Sequence, residues 1–296
     1  MRRKRRNRML AFGVAVGLLF TSCGIDNSDE MVSNKWYEKY HIIAHSGGGI
    51  SGYTYANCLE GWKAAYDRGV RVYDADVNET RDGVPVLRHE WTDNLETTDV
   101  AMNDSEISID INGVHHKIEE KIPSYEEFMR EKVYSKYTPM DLDSVISFMM
   151  EHADVFVSVD TKTSEALKKV VDYFCATDHE ELLKRVITNT YTFDGYFEIM
   201  NIYPFENVVM RQHYWCLNDW QEMADFCTEH GIPVVNVSAS LYGDEGIQVL
   251  KQENLYVYYA VIDYISDMNV MKNSGGDGIV SNWLSEEDWT NAKETK

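Results

Sequence analysis

Two rhythms of apolar and polar positions take turns along the chain. Short apolar or alternating runs recur at His41–His45, Arg71–Val77, Val155–Asp160, Val186–Thr190, Asn207–Arg211, Pro233–Val237, Leu255–Ile262 and Gly278–Asn282, each of strand length. Between them lie stretches with apolar residues at helical spacing, such as Asn57–Asp67, Leu142–His152, Ser164–Ala176 and Leu217–His230, with Gly69 and Gly231 as stop signals. In the last unit, Ser285 can cap a short helix whose first turn carries Glu286, Glu287 and Asp288.

Strand alternating with helix predicts an α/β fold with a parallel sheet. Eight such strands across residues 41–296 predict one (β/α)8 TIM barrel, a fold that typically takes roughly 250 residues. Two features break the rhythm. Only Asn78–Gly83 separates the second strand from a further run, Val84–His89, too few residues for a crossover helix, so Arg81-Asp82-Gly83 reads as a hairpin tip. Residues 92–139 then form an insertion after the second strand unit, expected over the barrel mouth, with a hairpin at Ile107–Ile118 around Asn112-Gly113. His115 and His116 within it would face opposite sides of a strand, which argues against a metal pair.

The candidate chemistry gathers where strands end, which is where barrel active sites are built. The first strand delivers His45 into the loop Gly47-Gly48-Gly49, and the second places Asp74 and Asp76 on one face. The hairpin returns His89 beside Asp76. Two histidines and two aspartates converging in this way suit general acid/base work around a bound cation.

The order of these residues resembles the glycerophosphodiester phosphodiesterase family and its relatives among the phosphatidylinositol phospholipases C. The shared features are His45-x-Gly47, the helix led by Asn57, Asp74-x-Asp76, Thr80-x-Asp82-Gly83-Val84-Pro85-Val86 and His89. Ser46 stands where that family carries a phosphate-gripping arginine, Asp74 and Asp160 stand for glutamates, and Glu90 stands for an aspartate. The resemblance implies a phosphodiester hydrolase with His45 and His89 as the catalytic pair. Asp74, Asp76 and Asp160 would be oxygen ligands of a divalent cation, Ca2+ or Mg2+. Lys162, Arg211 and Ser46 would lie on the substrate phosphate, with Arg211 able to replace the missing arginine. In that family a hydroxyl of the substrate attacks phosphorus, one histidine takes its proton, the other protonates the leaving alcohol, and water later opens the cyclic phosphate. A surface lipoprotein that keeps the barrel only to bind, and a phospholipase acting on lipid headgroups, remain as alternatives.

The start of the chain fixes an expected address. Residues 1–22 pair a basic start, Arg2 to Arg8, with an apolar core, Met9–Phe20, too short to span a membrane, as in a secretion signal. Phe20-Thr21-Ser22-Cys23 resembles a bacterial lipobox, which would make Cys23 the lipidated first residue of an exported, membrane-anchored lipoprotein, followed by a polar linker through residue 40. Losing the six cations of the leader takes the formal charge from −21 to −27, which argues against nucleic acid as a partner. The substrate, a small or polymeric phosphodiester, and the membrane through the lipid anchor are the expected partners. Cys58, Cys175, Cys216 and Cys227 show no metal spacing and are expected as buried free thiols.

Overall fold

All eight predicted strands form, and they close on one another. In a computed structural model describing residues 35–91, 108–111, 114–117, 122–213 and 219–292, the strands are β1 (Ile42–Ala44), β2 (Val72–Glu79), β6 (Phe156–Thr161), β7 (Val186–Thr190), β8 (Asn207–Gln212), β9 (Val234–Ser238), β10 (Tyr256–Ala260) and β11 (Gly278–Ser281). Each pairs in parallel with its neighbours, and β11 returns to β1, which also pairs with β2. The expected (β/α)8 barrel is therefore the fold. β2 outruns the barrel and pairs antiparallel with β3 (Pro85–Leu87), Val77 opposite Leu87, which makes the short hairpin expected of Arg81-Asp82-Gly83.

The crossovers are α1 (Leu59–Asp67), α3 (Leu142–Glu151), α4 (Ser164–Ala176), α5 (Phe193–Ile202), α6 (Trp220–His230), α7 (Gly246–Gln252) and α8 (Ile265–Asn273), with α9 (Glu286–Asn291) after the last strand. Their ends follow local chemistry. Gly231 stops α6 in the left-handed conformation (φ 67°), and Ser285 caps α9 with Asp288 in a reciprocal capping box. Outside the barrel wall, Trp62, Tyr73 and Phe148 interlock at centroid distances of 4.7 to 5.4 Å, joining α1 and α3 to β2.

The insertion carries β4 (Ser108–Ile111) paired with β5 (Val114–Lys117), matching the expected hairpin, and α2 (Tyr125–Arg130). Its last part packs on the loop between β1 and α1. Tyr134 stacks on Tyr53 at 4.1 Å and donates to the Thr54 carbonyl, and Val133, Tyr134 and Tyr137 close over Ala56 and Cys58.

The inside of the barrel differs from expectation at its base. Within residues 36–40, read as linker from their polar setting, Trp36 and Tyr40 belong to the core: Trp36–Glu38 form a single turn of 3-10 helix that places both under the barrel. Trp36 packs 5.3 Å from Tyr258, and Tyr40 lies 6.4 Å from Phe156. They close the N-terminal end against Ile43, Val72, Phe156, Ile187, Val209, Val234 and Val280. Cys58 and Cys227 are buried free thiols as expected, but Cys175 is exposed, and Cys216 lies outside the described residues.

Candidate active site

At the opposite end the barrel opens into a cleft of about 480 Å³, large enough for a glycerol-sized diester. His45, Asp74, Asp76, His89, Asp160, Lys162 and Arg211 all line it, so one mouth gathers seven of the residues singled out from sequence. Ser46 is the exception. Its hydroxyl is fully buried and donates to Asp76 Oδ2 at 2.6 Å, so it holds an acid from behind instead of facing substrate. Cys23 lies outside the described residues, as do the side chains of His115 and His116.

The loop that follows β1 is built to hold this arrangement. Ser46, Tyr55 and Asn57 all take left-handed backbone angles (φ 46°, 51° and 40°), a conformation that costs non-glycine residues about 1–3 kcal/mol each and tends to survive at functional sites. Gly47 has no substitute, because a Cβ there would lie 2.1 Å from Trp62 Nε1, and at Gly49 it would lie 2.4 Å from the Trp283 ring. Asn57, noticed in sequence only as the leader of a helix, donates to Asp76 Oδ2 at 2.8 Å and accepts from the Asp76 amide at 3.3 Å. Tyr55 stands between the two histidines, its ring 4.7 Å from His45 and 4.9 Å from His89.

His45 is oriented through a chain of hydrogen bonds. Asn282 donates its amide N–H to Asp263 Oδ2 at 2.8 Å, which turns its oxygen toward His45 Nδ1 at 3.1 Å. Nδ1 must then carry the proton, and Nε2 is left as an acceptor. Burial pushes the His45 pKa down, only partly offset by Asp76 and by the Asn282 bond, so the ring is neutral near pH 7. Asp76 goes the other way from an ordinary buried acid. Burial raises it, but attraction to His89 and His45 and the bonds from Asn57 and Ser46 outweigh burial and keep it ionised. His89 Nδ1 is buried with no hydrogen-bond partner among the described residues.

The expected cation cage looks different from its sequence outline. Arg211 Nη1 donates to Asp160 Oδ2 at 3.1 Å and to the Tyr191 hydroxyl at 3.1 Å, Nη2 reaches Asp74 Oδ1 at 3.4 Å, and Nε donates to Asn189 at 3.0 Å. Burial opposes the guanidinium charge, but Asp160, Tyr191 and Asp74 more than restore it. Burial pushes Asp74 up as well, with Asp76 and Asp160 adding to that and Arg211 resisting it. Ca2+ or Mg2+ needs several oxygens turned to one point. Among the described residues no group of three His, Cys, Asp or Glu side chains is gathered to hold a metal, and Asp74 and Asp160 already share a cation in Arg211. The donor set as it stands does not fit a resident divalent ion. Lys162, expected on the phosphate, pairs with Glu90 at 2.8 Å on the rim.

The signals missed in sequence are pairings between distant residues. Asn189 and Asn282 stand out in the sequence only as members of predicted strands, whereas Asp263, Tyr191 and Tyr55 carry no motif. Only the general rule that barrel chemistry gathers on the loops after strands could have drawn attention to them.

No curated protein matches the chain. A model of the glycerophosphoryl diester phosphodiesterase family matches residues 48–284. Similar solved structures include an Oleispira antarctica phosphodiesterase in complex with the product sn-glycerol-3-phosphate (16% identity, TM-score 0.60, 88% of this chain and 99% of that one). Glycerophosphodiester phosphodiesterases from Parabacteroides distasonis (16%, 0.59, 85% and 95%) and Thermotoga maritima (14%, 0.57, 85% and 96%) are similar too. At such identities they establish the barrel fold alone. Enzymes of the matched family generally depend on a divalent metal. Since the family match runs from the glycine loop after His45 to the last barrel strand and beyond it, the chain belongs to the glycerophosphoryl diester phosphodiesterase family and is an enzyme of that kind.

Proposed function

We propose that this barrel hydrolyses glycerophosphodiester-like substrates by proton transfer between His45 and His89. The observation that carries the reading is the oriented His45: an imidazole neutral near pH 7, its Nδ1–H held by Asn282 and its Nε2 left to accept, which is the state a general base needs. His45 takes the proton of a substrate hydroxyl as that oxygen bonds to phosphorus. His89 donates a proton to the departing alcohol as the second P–O bond breaks. In the return step water attacks the cyclic phosphate and the two exchange roles. Asp76, ionised and close to both rings, favours whichever imidazolium forms.

The test is turnover of glycerophosphocholine. His45→Ala and His89→Ala should each lower it by roughly 10² or more, and the double variant should be little worse than either, since residues acting as one unit are non-additive. Full activity in either single variant would overturn the mechanism, whereas ligand binding without turnover in the parent protein would favour a barrel kept only for binding.

A lipid-headgroup substrate is a second reading, supported by exposed apolar side chains near the rim: Val261, which lines the cleft, and Tyr264 and Ile265 just beyond it. Faster turnover of phospholipid in vesicles than of soluble diester is its signature. The basic, apolar leader and Cys23 support export and lipid anchoring of the whole.

A further inference from the structure

Arg211 is the most heavily engaged side chain at the mouth. A guanidinium has five N–H groups. Here one goes to Asn189, one to Asp160, one to Tyr191 and one to Asp74, and the side chain is only 13% exposed. A single N–H on Nη2 remains for anything else. Such a group cannot present the parallel pair of donors that grips a phosphate in two places. The sequence-based expectation that Arg211 restores the missing arginine clamp is therefore corrected by its own hydrogen bonds.

What Arg211 supplies is charge at a fixed point. It spans two of the three acids expected to share a divalent ion. Three of their six carboxylate oxygens already have partners: Asp74 Oδ1 and Asp160 Oδ2 with Arg211, and Asp76 Oδ2 with Ser46 and Asn57. One oxygen of each carboxylate remains for a divalent ion, which would have to sit against a guanidinium of like charge already fixed between two of its ligands, a poor setting for an ion that must also shed its water.

We propose that the Arg211 guanidinium is the resident cation of this site, standing between Asp74 and Asp160 in place of a divalent metal and stabilising the negative charge that develops on the phosphoryl oxygens. The proposal rests on the phosphodiesterase reading for its chemistry, but not for its geometry. It makes this chain a member of a generally metal-dependent family that works without metal.

The experiment compares the full-length protein in excess EDTA, CaCl2 or MgCl2, following both thermal melting and turnover of bis(p-nitrophenyl) phosphate. The melting temperature should be the same in all three, and turnover in EDTA should stay within about twofold, because no ligand that binds the folded state has been removed. In Arg211→Gln, turnover should fall roughly 10²-fold with loss of the fixed charge. The freed carboxylates should now bind calcium, so that CaCl2 raises its melting temperature, and Asp160→Asn added to it should abolish that rise. A wild-type protein whose melting temperature and turnover drop in EDTA and recover with calcium or magnesium would overturn the proposal. That wild-type arm needs no variant to fold. If no diester is turned over under any condition, the phosphodiesterase reading fails, while the melting curves still decide which cation the site holds.

Discussion

At the residue scale, the proposed catalysis turns on one proton's address. His45 can act as a base only with Nδ1 protonated, and the Asn282 oxygen, aimed by Asp263, enforces that. Asn282→Ala should lower kcat by roughly tenfold or more while leaving KM near its original value, since it disturbs proton transfer more than binding. The sign of the pH effect separates this from a merely structural loss. A base must be unprotonated, so the rate falls as pH drops through the His45 pKa, which burial already holds low. An acceptor on Nδ1 favours the charged ring, so removing it lowers that pKa further, and the acid limb of the rate profile should move to lower pH. An unmoved limb with unchanged kcat would remove Asn282 from the mechanism. His45 was legible in sequence, but the Asn282 and Asp263 that orient it were not. His45 and Asn282 lie 237 positions apart, and only closure of β11 on β1 makes them neighbours.

Elements, by contrast, were largely legible. Every barrel strand was marked by a short apolar run, and α4 was recovered end to end because Thr163, its cap, and the apolar spacing of Ala166, Leu167, Val170, Val171 and Phe174 are all local signals. The hairpin of β2 and β3 was legible from the shortness of its link. Trp36 was misread because it sits in polar sequence without periodicity, and its burial depends on a barrel that forms from the rest of the chain. Ser46 was assigned to substrate by alignment of motifs, whereas a left-handed backbone turns its hydroxyl to Asp76. The plug gives a clean stability test. Trp36→Ala should cost about 3–5 kcal/mol in urea unfolding, as for other buried aromatics, with the cleft residues untouched. A change under roughly 1 kcal/mol would return Trp36 to the linker.

For the whole molecule, charge and anchorage are the open properties. A lipid on Cys23 is the proposed tether: Cys23→Ala should move the protein from the membrane to the soluble fraction with its turnover intact, and unchanged membrane retention would sink the lipoprotein reading. Intact turnover is expected because the barrel from Trp36 onward contains its own core and its own cleft.

The Trp36 plug also makes the barrel a vessel with one opening. The chain joins the barrel at its stoppered end, beneath Tyr258 and Phe156, whereas His45 and His89 open at the far end. Substrate and product would therefore share one doorway, and a released alcohol would have to clear the rim past Val261 before the next diester could enter.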